Sequence, residues 1–123
     1  MDSVGVSHWV EDEGLIDVVT ALSGSGPAYF FLFMEYMQKV AEDLGLKPEV
    51  ALKLTEQTAL GSALLAQRSP HDFQRLRENV TSPNGTTEAA LKSFAKDDIY
   101  SAFKHALEAA NQRSIELSKE FGQ

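Results

Sequence analysis

The strongest apolar pattern in the chain predicts a helix over residues 27–44. Nearly every position from 29 to 37 is apolar. The polar side chains keep to one narrow stripe of Glu35, Gln38, Lys39 and Glu42. A helix that is apolar on most sides has to be buried on most sides. One core in a domain of this size can hardly cover such a helix, so the pattern predicts contact with a second chain.

Helical spacing predicts further helices over about residues 12–22, 48–68, 71–79, 86–94 and 98–120. Gly45 ends the central helix, and Pro48 suits the first turn of the next one. The helix from Pro48 onward carries small residues along one face, which permits close approach by another helix. A strand-like pattern is confined to residues 4–10. The predicted fold class is therefore all-α, a helical bundle domain that forms an intertwined dimer.

The length of the chain predicts one domain. At 123 residues it is long enough for a real core and too short for two full domains. Residues 1–10 look more like the end of a preceding element than the start of a new one, and we interpret them as a linker remnant. Residues 11–123 are then the helical domain.

Composition and charge argue against several kinds of partner. Eleven Lys and Arg against eighteen Asp and Glu give a net charge of −7, which disfavours nucleic acid and anionic lipid. The absence of cysteine favours a reducing cytoplasm. The N-terminus does not resemble a signal peptide. The longest uninterrupted apolar run, residues 28–34, is far shorter than the roughly 20 residues of a membrane span. We therefore expect a soluble, cytoplasmic protein.

The sequence contains no complete catalytic set of its own. The three histidines, His8, His71 and His105, are far apart and do not match a metal-binding spacing. No nucleophile elbow is present, and most carboxylates fall on predicted exposed helix faces. We therefore expect no metal site in this chain.

The stretch Val-Thr-Ser-Pro-Asn-Gly-Thr-Thr-Glu at residues 80–88 combines a turn with a helix start. Pro83 at the second turn position and Gly85 at the fourth predict a type I or type II turn over residues 82–85. A helix starting near Thr86 leaves its first backbone N–H groups unpaired, and such groups suit a small carboxylate. The commoner alternative is a plain helix cap in which Glu88 supplies the negative charge.

The stretch Ser-Gly-Ser-Gly-Pro at residues 23–27 interrupts the helical pattern. Gly24 and Gly26 could suggest a nucleotide-binding loop, but the stretch follows a predicted helix rather than a strand. The third glycine of that fingerprint is also replaced, by Tyr29. We therefore predict no dinucleotide site here. A tight glycine corner, where two helices or two subunits approach closely, explains the pattern better.

Residues 20–29, Thr-Ala-Leu-Ser-Gly-Ser-Gly-Pro-Ala-Tyr, and residues 80–87 together resemble the two signature segments of the C-terminal domain of pyrroline-5-carboxylate reductase. They occur in the right order, and the similarity runs over about residues 12–116. One departure is Asn84, where the family usually has glycine. Asparagine is the commonest non-glycine residue at positive φ, so the turn itself should persist.

The resemblance implies a function for the parent protein and roles for the loop. In this family an N-terminal Rossmann domain binds NAD(P)H, and the helical domain dimerises and presents the substrate loop. Residues 1–10 would then be the remnant that follows a missing Rossmann domain, and the chain alone would be inactive and bind no NAD(P)H. The parent enzyme would reduce 1-pyrroline-5-carboxylate to L-proline, as a homodimer or a larger assembly.

By the same resemblance, the backbone N–H groups of Gly85, Thr86 and Thr87, with the Ser82 hydroxyl, would hold the substrate carboxylate. Thr87 would be the catalytic residue, with its hydroxyl directed at the ring nitrogen. The alternative function is a free-standing helical homodimer that acts only as a scaffold or interaction module. The presence of both signature segments in one chain favours the reductase.

Overall fold

The computed structural model of the protein describes residues 13–121. Its helices are α1 (Ile16–Val19), α2 (Gly26–Asp43), α3 (Pro48–Arg68), α4 (Phe73–Asn79), α5 (Thr86–Lys96) and α6 (Ile99–Glu120). Between residues 13 and 121 there is no strand, and the all-α prediction is confirmed. The predicted linker remnant at residues 1–10 lies outside the described residues.

The ends of the helices coincide with local capping signals. Pro48 occupies the first turn of α3, where its missing N–H removes no helical hydrogen bond. The Asp72 carboxylate accepts the Arg75 N–H at 2.8 Å, so α4 begins slightly later than the predicted residue 71. Gly45 has a φ of +115°, a conformation that glycine adopts at no steric cost, and α2 ends there as predicted.

The described residues divide into two compact units. The first combines residues 13–30 with residues 98–121, and in it α6 packs against α1 and the turn that follows α1. In this unit the Ser114 hydroxyl donates to the Asp17 carboxylate at 2.6 Å, and Ala21 is buried. The second unit covers residues 31–97 and contains α3, α4 and α5.

The hydrogen bond between Ser114 and Asp17 should contribute measurably to stability. Both side chains are half-buried, and the acceptor is a carboxylate. We expect Ser114→Ala to lower the free energy of unfolding by about 1.5 kcal/mol, since hydrogen bonds to charged groups are worth more than neutral ones. Chemical denaturation measures this. Glu116→Gln, which removes an exposed ion pair with Arg113 and keeps an acceptor oxygen for Gln112, is the control and should change stability by less than about 0.5 kcal/mol. Equal effects of the two substitutions would contradict the assignment.

The segment predicted as one helix over residues 12–22 is not a uniform α-helix. It consists of a 3₁₀ turn (Glu13–Leu15), α1 and a π turn (Thr20–Gly24). In the π turn the Ser25 N–H donates to the Thr20 carbonyl at 2.9 Å, one residue further than in an α-helix. The Thr20 and Ser23 hydroxyls also donate to carbonyls four residues earlier, at 3.1 and 3.0 Å. Such side-chain bonds compete with regular helical geometry.

Among residues 13–121, Gly24 and Gly26 do not make the close approach that was predicted for the glycine corner. A Cβ on Gly24 would lie 3.6 Å from the Thr20 methyl group, which is an ordinary contact. A Cβ on Gly26 would meet nothing within 4 Å. The corner is instead held by the Tyr29 hydroxyl, which donates to the Ala21 carbonyl at 2.7 Å. Close approach between two subunits at this corner stays a prediction.

Large apolar side chains of α2 are exposed in the single chain. Phe30 and Phe31 expose 65% and 66% of their surface, and Tyr36, Met37 and Val40 on the same helix are also exposed. In α3, Ala51 and Thr55 are buried, whereas Leu54 and Leu60 are exposed. Exposure of several large apolar side chains on one helix is typical of an interaction site in a folded protein.

The helical stretch Ile16–Asp43 spans 28 residues and is long and apolar enough to cross a membrane, by length and composition only. The uninterrupted apolar run at residues 28–34 is only part of this stretch. Continuation of the helix through the π turn makes the apolar segment longer. An apolar helix that is covered by a second chain meets the same criteria, so this stretch also fits the predicted dimer interface.

Candidate functional site

The loop at residues 82–85 is a hydrogen-bonded turn. The Gly85 N–H donates to the Ser82 carbonyl at 3.1 Å, which closes the turn around Pro83 and Asn84. Asn84, at the third position, has a φ of +60°. Positive φ at this position belongs to the type II turn, so the structure decides between the two turn types that the sequence left open.

Gly85 is required by space rather than by its backbone angle. Its φ is −93°, which any residue can adopt. A Cβ at this position, however, would lie 3.2 Å from the Ser82 carbonyl oxygen and 3.6 Å from the Ser82 Cβ. The first of these contacts is tighter than a Cβ normally makes, so a side chain here would push the turn open.

The start of α5 presents unpaired donors next to this turn. Gly85 is the N-cap residue and has no side chain to satisfy them. Within residues 13–121, the N–H groups of Thr86 and Thr87 have no hydrogen-bond acceptor. The Gly85 N–H, in contrast, is already used by the turn. Of the three N–H groups predicted to hold a carboxylate, those of Thr86 and Thr87 are unpaired, and that of Gly85 is engaged in the turn.

Hydroxyl groups surround these donors. The Ser82, Thr86 and Thr87 hydroxyls make no hydrogen bond among the described residues, and Thr87 is half-buried while the other two are exposed. The neighbouring Thr81 hydroxyl differs, because it donates to the Arg77 carbonyl at 2.6 Å. The predicted site residues thus lie together in one stretch of the second unit, and Thr81 is engaged elsewhere.

Glu88 makes a contact with the turn that helix capping alone does not predict. Its carboxylate accepts the Asn84 N–H at 3.0 Å and lies 3.5 Å from the Lys92 ammonium. The alternative of a helix cap is therefore partly correct, since Glu88 does supply negative charge near the start of α5. Its carboxylate bonds to the turn, however, and leaves the Thr86 and Thr87 N–H groups available.

A metal site was the other kind of functional site to look for in the described part of the chain. Between residues 13 and 121 no group of three His, Asp or Glu side chains is arranged to hold a metal ion. The loop at residues 82–87 is the candidate site, because unpaired N–H groups at a helix start next to hydroxyls can receive a small anion.

Comparison with known proteins gives consistent matches. The family model described as pyrroline-5-carboxylate reductase dimerisation matches residues 13–117. A pyrroline-5-carboxylate reductase of Pseudomonas aeruginosa is 53% identical over 123 residues, which are all of this chain and 45% of that protein. The chain therefore spans less than half the length of this relative.

Solved structures give the same match in three dimensions. A pyrroline-5-carboxylate reductase from Coxiella burnetii superposes with a TM-score of 0.86 and 50% identity, over 89% of this chain and 40% of that one. The Plasmodium falciparum pyrroline carboxylate reductase, solved with NADP bound, superposes with a TM-score of 0.81 and 36% identity, over 84% of this chain and 39% of that one.

Proposed function

Because the chain belongs to the pyrroline-5-carboxylate reductase dimerisation family, we propose that it is the dimerisation and substrate-binding part of such a reductase. The whole protein reduces 1-pyrroline-5-carboxylate to L-proline with NAD(P)H in the cytoplasm. A Rossmann domain outside the described residues holds the nucleotide and precedes the linker at residues 1–10. Hydride transfer requires the nicotinamide carbon close to the imine carbon of the substrate, so the nucleotide domain completes the site.

The observation that carries this proposal is the pair of unpaired N–H groups at the start of α5. The Thr86 and Thr87 N–H groups, together with the Ser82 hydroxyl, suit a carboxylate. The positive end of the α5 dipole adds to the attraction. Pyrroline-5-carboxylate and proline are small molecules that carry this group. Binding of the carboxylate here fixes one end of the substrate and therefore the place of its ring.

The Thr87 hydroxyl is the proposed partner of the ring nitrogen. That nitrogen is a cationic imine before hydride transfer and an amine afterwards. A hydroxyl can both accept and donate a hydrogen bond, so it suits both states. Thr87 is half-buried, and its hydroxyl makes no hydrogen bond among the described residues. It is therefore available to the substrate.

The proposed assembly is a homodimer, in which the exposed apolar side chains of α2 are covered by the same helix and its neighbours in a second copy. The family's own description as a dimerisation domain supports this. The exposed polar stripe of α2, Glu35, Lys39 and neighbouring residues, breaks the apolar surface on one side. A lipid-facing helix would carry these charges into hydrocarbon at a high cost, which favours a second protein chain over a membrane.

The direct test is reduction of pyrroline-5-carboxylate by the protein that contains this chain, followed through oxidation of NADH and NADPH. Turnover with formation of proline supports the proposal. A protein that is dimeric but lacks this activity would instead fit the alternative, a helical homodimer that acts as a scaffold.

The chain on its own is expected not to bind NADH or NADPH appreciably. The glycine pair at residues 24 and 26 lies at the end of a π turn, and the Rossmann fingerprint requires a strand followed by a helix N-terminus. Isothermal titration calorimetry of the isolated chain with each nucleotide measures this. Tight binding of either one would show that a nucleotide site has been overlooked in this chain.

A further inference from the structure

The turn beside the candidate site contains a conformational choice. Type I and type II turns differ by reversal of the peptide between the second and third residues, here the peptide between Pro83 and Asn84. The direction of the Asn84 N–H therefore defines the turn type. In the structure Asn84 has a φ of +60°, which is costlier for asparagine than for glycine. A hydrogen bond to the Asn84 N–H would offset this modest cost.

Glu88 supplies that interaction. Its carboxylate accepts the Asn84 N–H at 3.0 Å, and its side chain is only 32% exposed. If the peptide were reversed, the Pro83 carbonyl would replace the N–H and its oxygen would face the carboxylate. The carboxylate thus stabilises the type II orientation by attraction and disfavours the reversed one by repulsion.

The orientation of this peptide bears on the unpaired donors. Asn84 precedes Gly85, the N-cap of α5, and the turn is closed by the bond from Gly85 to Ser82. Reversal of the peptide at Asn84 would leave the path of the chain nearly unchanged, but it would turn the Pro83 carbonyl towards Glu88 in the first turn of α5. A carbonyl oxygen at the start of α5 would repel a bound carboxylate and compete with it for the N–H groups there.

We propose that Glu88 is a positioning residue for substrate binding, which holds the Asn84 N–H and so keeps the Pro83 carbonyl turned away from the start of α5, where the Thr86 and Thr87 donors lie. This rests on the proposed function of the loop as the carboxylate site. Glu88 touches the turn and not the substrate. Its role is tied to Asn84, because a glycine there would adopt positive φ without help.

The test compares three variants of the whole reductase. Glu88→Ala should lower kcat/KM for pyrroline-5-carboxylate about tenfold, the effect of losing a hydrogen bond to a charged group. The change should lie mainly in KM, because the carboxylate is held equally before and during hydride transfer. Glu88→Gln keeps an acceptor oxygen and should retain kcat/KM within about threefold. Asn84→Gly added to Glu88→Ala should restore most of the loss.

Matched controls separate this role from general charge effects. Lys92→Ala removes the ion pair of Glu88 but not its hydrogen bond to Asn84, and should change KM less than about twofold. Glu108→Ala removes an exposed ion pair of the same spacing, with Lys104 in α6, and should likewise have little effect. The dimer should remain intact in all five variants, as measured by sedimentation.

The conformation of the turn can be measured by NMR independently of activity. A strong NOE between the N–H and Hα of Asn84 reports positive φ and should weaken in Glu88→Ala. The proposal is overturned if Glu88→Ala leaves both KM and this NOE unchanged, or if Asn84→Gly does not restore the loss. An inactive wild-type protein would contradict the proposed function instead. In that case the NOE alone decides whether Glu88 fixes the turn.

Discussion

Phe31→Asp is expected to convert the homodimer into monomers at micromolar concentration. Phe31 lies on α2 and exposes 66% of its surface in the single chain, and in the proposed dimer the second copy covers it. An aspartate in its place would either be buried without a counter-charge or prevent association. An uncompensated buried charge costs about 3–5 kcal/mol, which raises the dissociation constant at least about a hundredfold. Because a homodimer is symmetric, the Phe31→Asp substitution occurs twice in each dimer.

Sedimentation velocity across a concentration series measures this effect. The matched control is Lys39→Asp, which puts the same side chain into the polar stripe of the same helix. Lys39 is exposed there, so the control should remain dimeric. Dissociation in both variants would point to damage of the helix rather than of an interface. A fully dimeric Phe31→Asp protein would remove α2 from the interface.

Thr87→Ala in the whole reductase is expected to lower kcat/KM for pyrroline-5-carboxylate about ten- to a hundredfold. The lost group is one hydrogen bond to a charged ring nitrogen, worth roughly 1.5–3 kcal/mol. The half-buried position of Thr87 limits replacement of the hydroxyl by bulk water. Steady-state kinetics with varied substrate measure the change, and Thr87→Ser should recover part of it because the hydroxyl is kept.

Thr81→Ala is the matched control for that experiment. Thr81 stands just before the turn, but its hydroxyl already donates to the Arg77 carbonyl at 2.6 Å. Its removal should therefore cost much less activity than removal of the Thr87 hydroxyl. If Thr87→Ala kept the wild-type kcat/KM, the loop would be a helix cap without a catalytic hydroxyl.

The helices were predictable because their signals are local. Pro48 and Gly45 mark the ends of α3 and α2 through backbone properties of single residues, and the structure places both ends there. The turn at residues 82–85 was predictable for the same reason. The apolar sides of α2 also indicated a second chain from composition alone, and Phe30 and Phe31 are exposed as this requires.

Other features depend on contacts that periodicity does not encode. The π turn at Thr20–Gly24 differs from an α turn by one residue in hydrogen-bond spacing, and the same residues fit both patterns. The bond from Asn84 to Glu88 was missed because glutamate in the first turn of a helix is ordinarily explained by the dipole. Asn84, a non-glycine residue at a turn position suited to positive φ, was the sequence signal that could have pointed to this bond.

The π turn also constrains how the length of this segment can vary. Each residue of an α-helix advances the side-chain direction by about 100°. The Ser25 to Thr20 hydrogen bond accommodates one residue more than an α turn would. Deletion of a single residue between Val19 and Gly26 would therefore rotate everything that follows by about 100° relative to α1. It would also move Pro27, which has no backbone N–H, one residue closer to α1. The apolar side chains of α2 would then face different directions, so the extra residue of the π turn sets which sides of α2 face outward.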